Sequence, residues 1–457
     1  MESPIRGAGR DVELARGPSV LVKETEGPDP TPRTLAWAGP DDPANPQNWP
    51  QTRRWLVTLL VSLYMLVSPV SSSIVAPALP IIQDEFRIPT AVEAQMVLSI
   101  FVLASAVGPL VISPLSEVYG RRPVLQLTCL FYMIFNLACA FSRTAAQLLV
   151  FRFLSGLGGS APAIGGGILA DCWRPEERGR SLKVYYFFPL VGPAVGPIVG
   201  GFIMRYSNWR WIFYSTSILN AVIQAVGLFA LPETFPLKIL QEKARRDAKA
   251  HGEDAKSRAD NYESSKGTWS VLATAMVRPA KLLTTQPIVQ LLALYTAYIY
   301  GLMYLALSTF SSVWTQVYGE SDEIAGLNYI SLALGFTLST QLMAPVNDHV
   351  YSALKRRNHG NGLPEHRVPL LIPSAILIPA GFFWYGWSVQ AQVHWIMPNI
   401  GSVLFGFGII NGMQTITSYT VDAYPLYAAS ATAALTVFRA FAGFGWCPVV
   451  LGARLDL

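Results

Sequence analysis

Eleven apolar stretches, each about as long as a membrane-crossing helix, follow one another between Leu56 and Val450. A hydrocarbon layer about 30 Å thick needs roughly 20 consecutive apolar residues in a helix. The stretches run from Leu56 to Leu79, Ala94 to Pro114, Pro123 to Phe141, Gln147 to Ala170, Leu182 to Met204, Ile212 to Leu231, Pro287 to Phe310, Ile324 to Val346, Val368 to Trp387, Trp395 to Ile416 and Leu426 to Val450. Backbone in lipid must satisfy its own hydrogen bonds, so the sequence predicts an all-α integral membrane protein. Hydrophobic residues make up 51% of the 457 and charged residues 14%, too little polar surface to cover a water-soluble fold of this size. The first stretch begins only after about fifty polar, proline-rich residues, too far in for a cleaved signal peptide.

The formal charge of +5 is informative by location. Arg53 and Arg54 precede the first stretch, and Arg121 and Arg122 follow the second. Arg174, Arg178, Arg180 and Lys183 follow the fourth, the run from Lys238 to Lys281 the sixth, and Lys355, Arg356, Arg357 and Arg367 the eighth. The intervening loops are neutral or acidic apart from Arg87, Arg143, Arg205 and Arg210. The positive-inside rule then places the N-terminus and the central connector in the cytosol. Basic clusters divided among short loops on one membrane face argue against a nucleic-acid partner. Cys129 and Cys139 share one stretch, and the histidines are scattered without metal spacing, so no disulfide framework, metal or cofactor is expected.

Residues 1–50 are too poor in aromatics to build a core and read as a disordered cytosolic tail. Residues 51–232 form a first group of six helices, 233–285 a cytosolic linker with a charged surface helix over Ile239 to Ala250, and 286–457 a second group. Two helical groups joined by a cytosolic connector are the plan of transporters built from repeated halves, with the substrate near the midplane between them. The fifth stretch carries Gly192, Pro193, Gly196, Pro197, Gly200 and Gly201, with Pro189 one turn earlier. Glycines every four residues flatten one face for close backbone approach, and prolines in register weaken the helix ladder, so this stretch reads as a packing hinge. Between the second and third stretches, Ser113 to Arg122 places Glu117, a turn at Gly120, and the cations Arg121 and Arg122 together, a charge set suited to a gate.

With these residues in view, the chain resembles the major facilitator superfamily, and in particular the fungal drug:proton antiporters with twelve helices. Leu115 to Arg122 is similar to the family's motif between helices 2 and 3. Leu148 to Ser160, centred on Arg152 and Gly156, is similar to its helix 4 motif, and GPAVGPIVGG from Gly192 to its antiporter signature. DDPANPQNW from Asp41, the loop Asp171 to Arg180, Pro232-Glu-Thr234 and Asp348 to Pro369 also resemble this subfamily. Ser113 and Val118 depart from the loop motif, where glycine and a basic residue are usual. The resemblance implies two six-helix halves. After Phe444 this chain reads GWCPVVLGARLDL, so about eleven transmembrane helices are expected, with the last one missing.

Charges deep in a bilayer are functional candidates by default. Arg152 in the fourth stretch and Arg439 in the eleventh qualify, whereas Glu93, Glu117, Asp171, Asp348 and Asp422 lie near helix ends. Cations without a midplane acid suit neutral or anionic substrates better than polyamines. Glu117, Gly120, Arg121, Arg122, Arg152 and Asp171 are therefore expected to gate. Arg152, Tyr298, Asn411, Gln414 and Arg439 are expected to line the substrate cavity, and Glu93, approaching Arg152, to couple protons. The expected activity is proton-coupled export of a small amphipathic or weakly acidic molecule by a monomer in the plasma membrane. A shortened, non-transporting membrane protein is the second reading. No nucleophile, acid–base pair or metal cluster is assembled by spacing, so an enzyme is not expected.

Overall fold

In the computed structural model, which describes residues 37, 39, 41–174, 177–250, 277, 280–359, 362–424 and 428–455, every apolar stretch becomes helix and no strand occurs among the described residues. The elements are α1 (Gln51–Ser73), α2 (Leu79–Glu85), α3 (Ala91–Tyr119), α4 (Arg121–Ala140), α5 (Ala145–Gly158), α6 (Gly165–Cys172), α7 (Arg178–Tyr206), α8 (Arg210–Ala230) and α9 (Pro236–Ala250). They continue as α10 (Pro287–Ser312), α11 (Asp322–Leu327), α12 (Tyr329–Arg357), α13 (Leu371–Gln390), α14 (Ile396–Ala423) and α15 (Ala428–Leu455). Nine helical spans among the described residues are long and apolar enough to cross a membrane, and Ala145–Gly158 and Ala431–Phe444 are shorter apolar helices.

Local sequence explains where helices break. The fourth stretch is not one helix, as expected, but α5 and α6 joined by a 3-10 turn over Ala161–Ile164. Gly158, Gly159, Pro162 and the glycines 165 to 167 weaken the ladder there. The first stretch likewise ends at Ser73 and passes through a 3-10 turn at Ala76–Ala78 into α2. The charged helix expected in the linker is present as α9, and residues 251–276 lie outside the described residues.

Residues 41–50 depart from the expected disordered tail. Asn45 caps a 3-10 turn over Pro46–Asn48 by accepting from the Gln47 amide at 3.1 Å. Asp42 is buried, and its carboxylate pairs with Lys243 of α9 at 2.8 Å. Arg54 at the start of α1 pairs with Glu177 at 2.7 Å. Composition misses this segment because its partners lie far along the chain: polar anchors such as Lys243, and the apolar core that takes up Trp49.

The helices bury a largely apolar interior with polar ties set into it, and their outward stripes are apolar. On α4, Leu127, Leu130 and Ile134 point outward, while Tyr132, Asn136 and Cys139 are buried. Asn136 Nδ2 donates to the Phe213 carbonyl and to the hydroxyls of Thr216 and Ser217 on α8 at 3.1, 2.9 and 2.9 Å. An outer stripe in contact with lipid has no reason to be polar, whereas inward amides and hydroxyls tie helices together. In the first group α1 packs on α7, and α4 on α5 and α8. In the second, α10 packs on α15, and α14 on α12 and α13. The groups meet where α3 touches α15 and where α7 touches α11 and α12.

The α1–α7 contact uses the glycine row. A Cβ built on Gly200 would lie 2.5 Å from the Ile74 carbonyl oxygen, and one on Gly192 2.6 Å from Pro69 Cβ. Gly196 faces Ser73, and Gly201 is buried. Because backbone stands opposite Gly200, no side chain can yield. Gly200→Leu is expected to destabilise the purified protein by about 1–3 kcal/mol, whereas Ile134→Ala on the outer stripe is near neutral, as read from thermal melting in detergent.

Candidate functional site

At the face carrying the basic loops, α3 ends at Tyr119 and Gly120 turns the chain with φ +100° before α4 begins at Arg121. That φ excludes a comfortable side chain and aims Arg121 back beneath α3. Arg121 is buried. Its Nη1 donates to Ser116 Oγ at 2.7 Å, its Nε lies 3.3 Å from Asp171 Oδ2 at the end of α6, and Glu117 stands 4.0 Å away. Arg122 Nη2 donates to the Leu228 carbonyl on α8 at 2.6 Å. The charge cluster expected from sequence is therefore assembled, and Ser113 and Val118 do not prevent it.

One member was missed. Glu233, just after α8, accepts the amides of Arg121 and Arg122 at 2.9 and 3.2 Å, together with those of Thr234 and Phe235 at 3.0 and 2.9 Å. A carboxylate thus caps the free N-terminus of α4, where the helix dipole favours negative charge. The signal was present in Pro232-Glu-Thr234, but only the fold brings it to α4.

Asp171 lies beyond the apolar run that ends at Ala170. Burial pushes its carboxyl up to about 6, against the pull of the Arg121 guanidinium. The second helical group holds a comparable cluster that sequence reasoning did not assemble. Arg367 Nε donates to Asp422 Oδ2 and Nη1 to Asn347 Oδ1, both at 2.9 Å, and the guanidinium stands 4.4 Å from the Tyr351 ring centroid. In the first group the arginine that begins α4 meets an acid near the end of α6; here the arginine just before α13 meets an acid near the end of α14.

At mid-depth, Arg152 of α5 is 0% exposed. Its Nε donates to the Val97 carbonyl of α3 at 3.0 Å and Nη1 to the Ser71 carbonyl of α1 at 3.1 Å. Phe101 and Phe213 flank the guanidinium at 4.6 and 5.8 Å. Nη2 is buried without a hydrogen-bond partner, and among the described residues no carboxylate pairs with this arginine. Glu93 does not approach it. It is exposed in the first turn of α3, its amide donating to Thr90 Oγ1 at 3.2 Å, and the Val97 carbonyl occupies the place expected for a carboxylate.

Across the group boundary, Arg439 of α15 stands 4.9 Å from the Tyr300 ring of α10, which lies 5.0 Å from Tyr304. Gln414 Nε2 reaches Thr340 Oγ1 at 3.3 Å. Two expected cavity residues sit elsewhere. Asn411 is buried between helices, donating to the Leu370 carbonyl and Ser374 Oγ at 2.9 and 2.8 Å, so it is a helix tie. Tyr298 shares an outward stripe with Leu294 and Leu291, one and two turns earlier, and faces away from the interior. Counting polar residues along a helix cannot tell a tie from a cavity wall. Among the described residues no cluster of metal-ligating side chains occurs.

The family model for the Major Facilitator Superfamily matches residues 61–446. The efflux pump vrtL of Penicillium aethiopicum is 45% identical over 437 residues, covering 95% of this chain and 86% of that protein. The efflux pump radE of Floropilus chiversii is 38% identical over 434 residues, covering 94% and 80%. Among solved structures, the inward open xylose transporter XylE from E. coli aligns with TM-score 0.64 at 13% identity over 87% of this chain and 89% of that one, a likeness of fold. The chain belongs to the major facilitator superfamily and is a multi-pass membrane transporter. Its relatives and structural neighbours are transporters, not enzymes.

The Asp171 carboxyl is raised, so the folded protein prefers it protonated. That contribution to stability is fully present below about pH 4 and is lost as pH rises through about 6. Asp171→Asn is expected to remove about 1–3 °C of the fall in melting temperature between pH 4 and pH 7, as measured on purified protein in detergent.

Proposed function

We propose that this transporter exports a small amphipathic or weakly acidic molecule from the cytosol across the plasma membrane, in exchange for protons and as a monomer. The observation that carries the reading is Arg152: a fully buried guanidinium held by two carbonyls, with one N–H group unmatched and no carboxylate beside it. A desolvated cation with a spare donor favours an anionic or strongly accepting group over a second cation. Arg439 and the ring pair Tyr300–Tyr304 supply a second cation and flat apolar surface from the other helical group, which suits an aromatic acid. The efflux pumps to which the chain is similar support the outward direction.

For proton exchange, the groups placed to respond are the partly buried Asp171 and its neighbour Arg121, not Glu93. A proton taken by Asp171 loosens its hold on Arg121 and frees the ends of α3 and α4. Two helical groups of one chain supply all these parts, so a single copy suffices.

Transport into inside-out vesicles from a host lacking its own pumps tests the proposal, with a labelled aromatic carboxylate and a labelled polyamine as alternative cargoes. Uptake of the acid should collapse with a protonophore and fall about 10- to 100-fold in Arg152→Gln, the range for losing a hydrogen bond to a charged group. Glu93→Gln should leave it unchanged. Preferred uptake of the polyamine, or uptake indifferent to the protonophore, would overturn the proposal.

A further inference from the structure

The geometry points to an outer gate formed by Arg205, Glu323 and Gly326, a latch that holds the two helical groups shut on the face opposite the basic loops. Arg205 lies in the last turn of α7 and Glu323 in the first turn of α11, with Nε and Oε1 3.0 Å apart. Among the ion pairs of the described residues, this one alone joins the first helical group to the second. Directly beside it the backbones meet. A Cβ on Gly326 would lie 3.2 Å from the Pro197 carbonyl oxygen and 3.3 Å from Ile198 Cα.

Each side of this seam is fixed to its own group. On the second group, Asn328 Nδ2 donates to Glu320 Oε2 at 2.7 Å, and Asn399 Nδ2 at the start of α14 donates to Asn328 Oδ1 at 2.8 Å. These bonds close the flanks of α11 on each other and tie its end to α14. On the first group, α7 is seated on α1 by the glycine row. The seam therefore joins two bodies and is not a contact between loose loops. Pro189, Pro193 and Pro197 lie in α7 just beneath it, where missing amide donors let the helix bend without breaking a full ladder.

The ion pair suits a reversible latch because it is weak. Arg205 is 59% exposed and Glu323 24%, so water replaces each partner readily when the seam parts. It biases the closed state without locking it, and the backbone contact at Gly326 excludes water behind it. The inference requires only that the two groups move relative to each other, and it stands whether or not the cargo is an acid or the coupling ion a proton.

Ile198→Cys in the full-length protein places a thiol behind the seam. Cells are treated from outside with a membrane-impermeant maleimide, and the adduct at position 198 is read by peptide mass spectrometry. The thiol should react slowly with the latch intact and about two- to five-fold faster when Glu323→Gln is added, the ratio expected for an exposed ion pair. The charge-exchanged pair Arg205→Glu/Glu323→Arg should return the rate toward the starting value, and Gly326→Leu should raise it by wedging the backbones apart. Equal rates with and without Glu323→Gln, or a charge exchange that labels as fast as either single reversal, would overturn the proposal. If Gly326→Leu fails to reach the membrane, the charge series decides by itself.

Discussion

Polar atoms inside a bilayer must be matched by other protein atoms, and the rest of this molecule follows from that constraint. Backbone amides are matched within helices, and the remaining polar side chains determine which way each helix turns. Asn136 binds α4 to α8, Asn411 binds α14 to α13, and Arg152 gathers carbonyls from α1 and α3. The outward faces are left to leucine, isoleucine and aromatics, which lipid accepts without partners. Hydrogen bonds set into a largely apolar core thus fix which helices pair and at what depth.

Charge is layered by depth. At the basic face, Arg121 and Arg367 each meet a helix-ending acid, Asp171 and Asp422, in the two helical groups. At mid-depth the cations Arg152 and Arg439 lie against aromatic rings and lack acids among the described residues. At the far face Arg205 meets Glu323 across the boundary between groups. Paired charges at the two surfaces bracket less fully matched cations between them.

Much of this was legible in the sequence. The apolar runs determine the helices, the glycine row of α7 a close backbone approach whose partner proves to be α1, and the Glu117 to Arg122 loop its charge cluster. What the sequence could not supply was pairing over long distance. Glu233 and Arg121 are separated by more than a hundred positions, and only the packing of α8 beside α4 makes one cap the other. If the second and fourth stretches face each other, the sequence lets Glu93 reach Arg152, but the carbonyl of Val97, one turn deeper, meets the guanidinium instead. Asn411 and Tyr298 looked like cavity residues because polarity on an apolar helix has two physical solutions, a helix tie or a wet wall. Sequence spacing is the same for both. The anchored segment from Asp41 to Trp49 was hidden for a related reason, since its order comes from Lys243 and other partners far along the chain.

On the proposed reading, cargo brings an acceptor to the Arg152 Nη2 group, which has no hydrogen-bond partner among the described residues. Cargo would then act as a folding ligand as well as a passenger, and the most resilient form of the protein would be the one caught in mid-delivery. Heat resistance thereby becomes a reporter of occupancy, and unknown compounds can be ranked by how much they toughen the protein before any has been seen to cross a membrane.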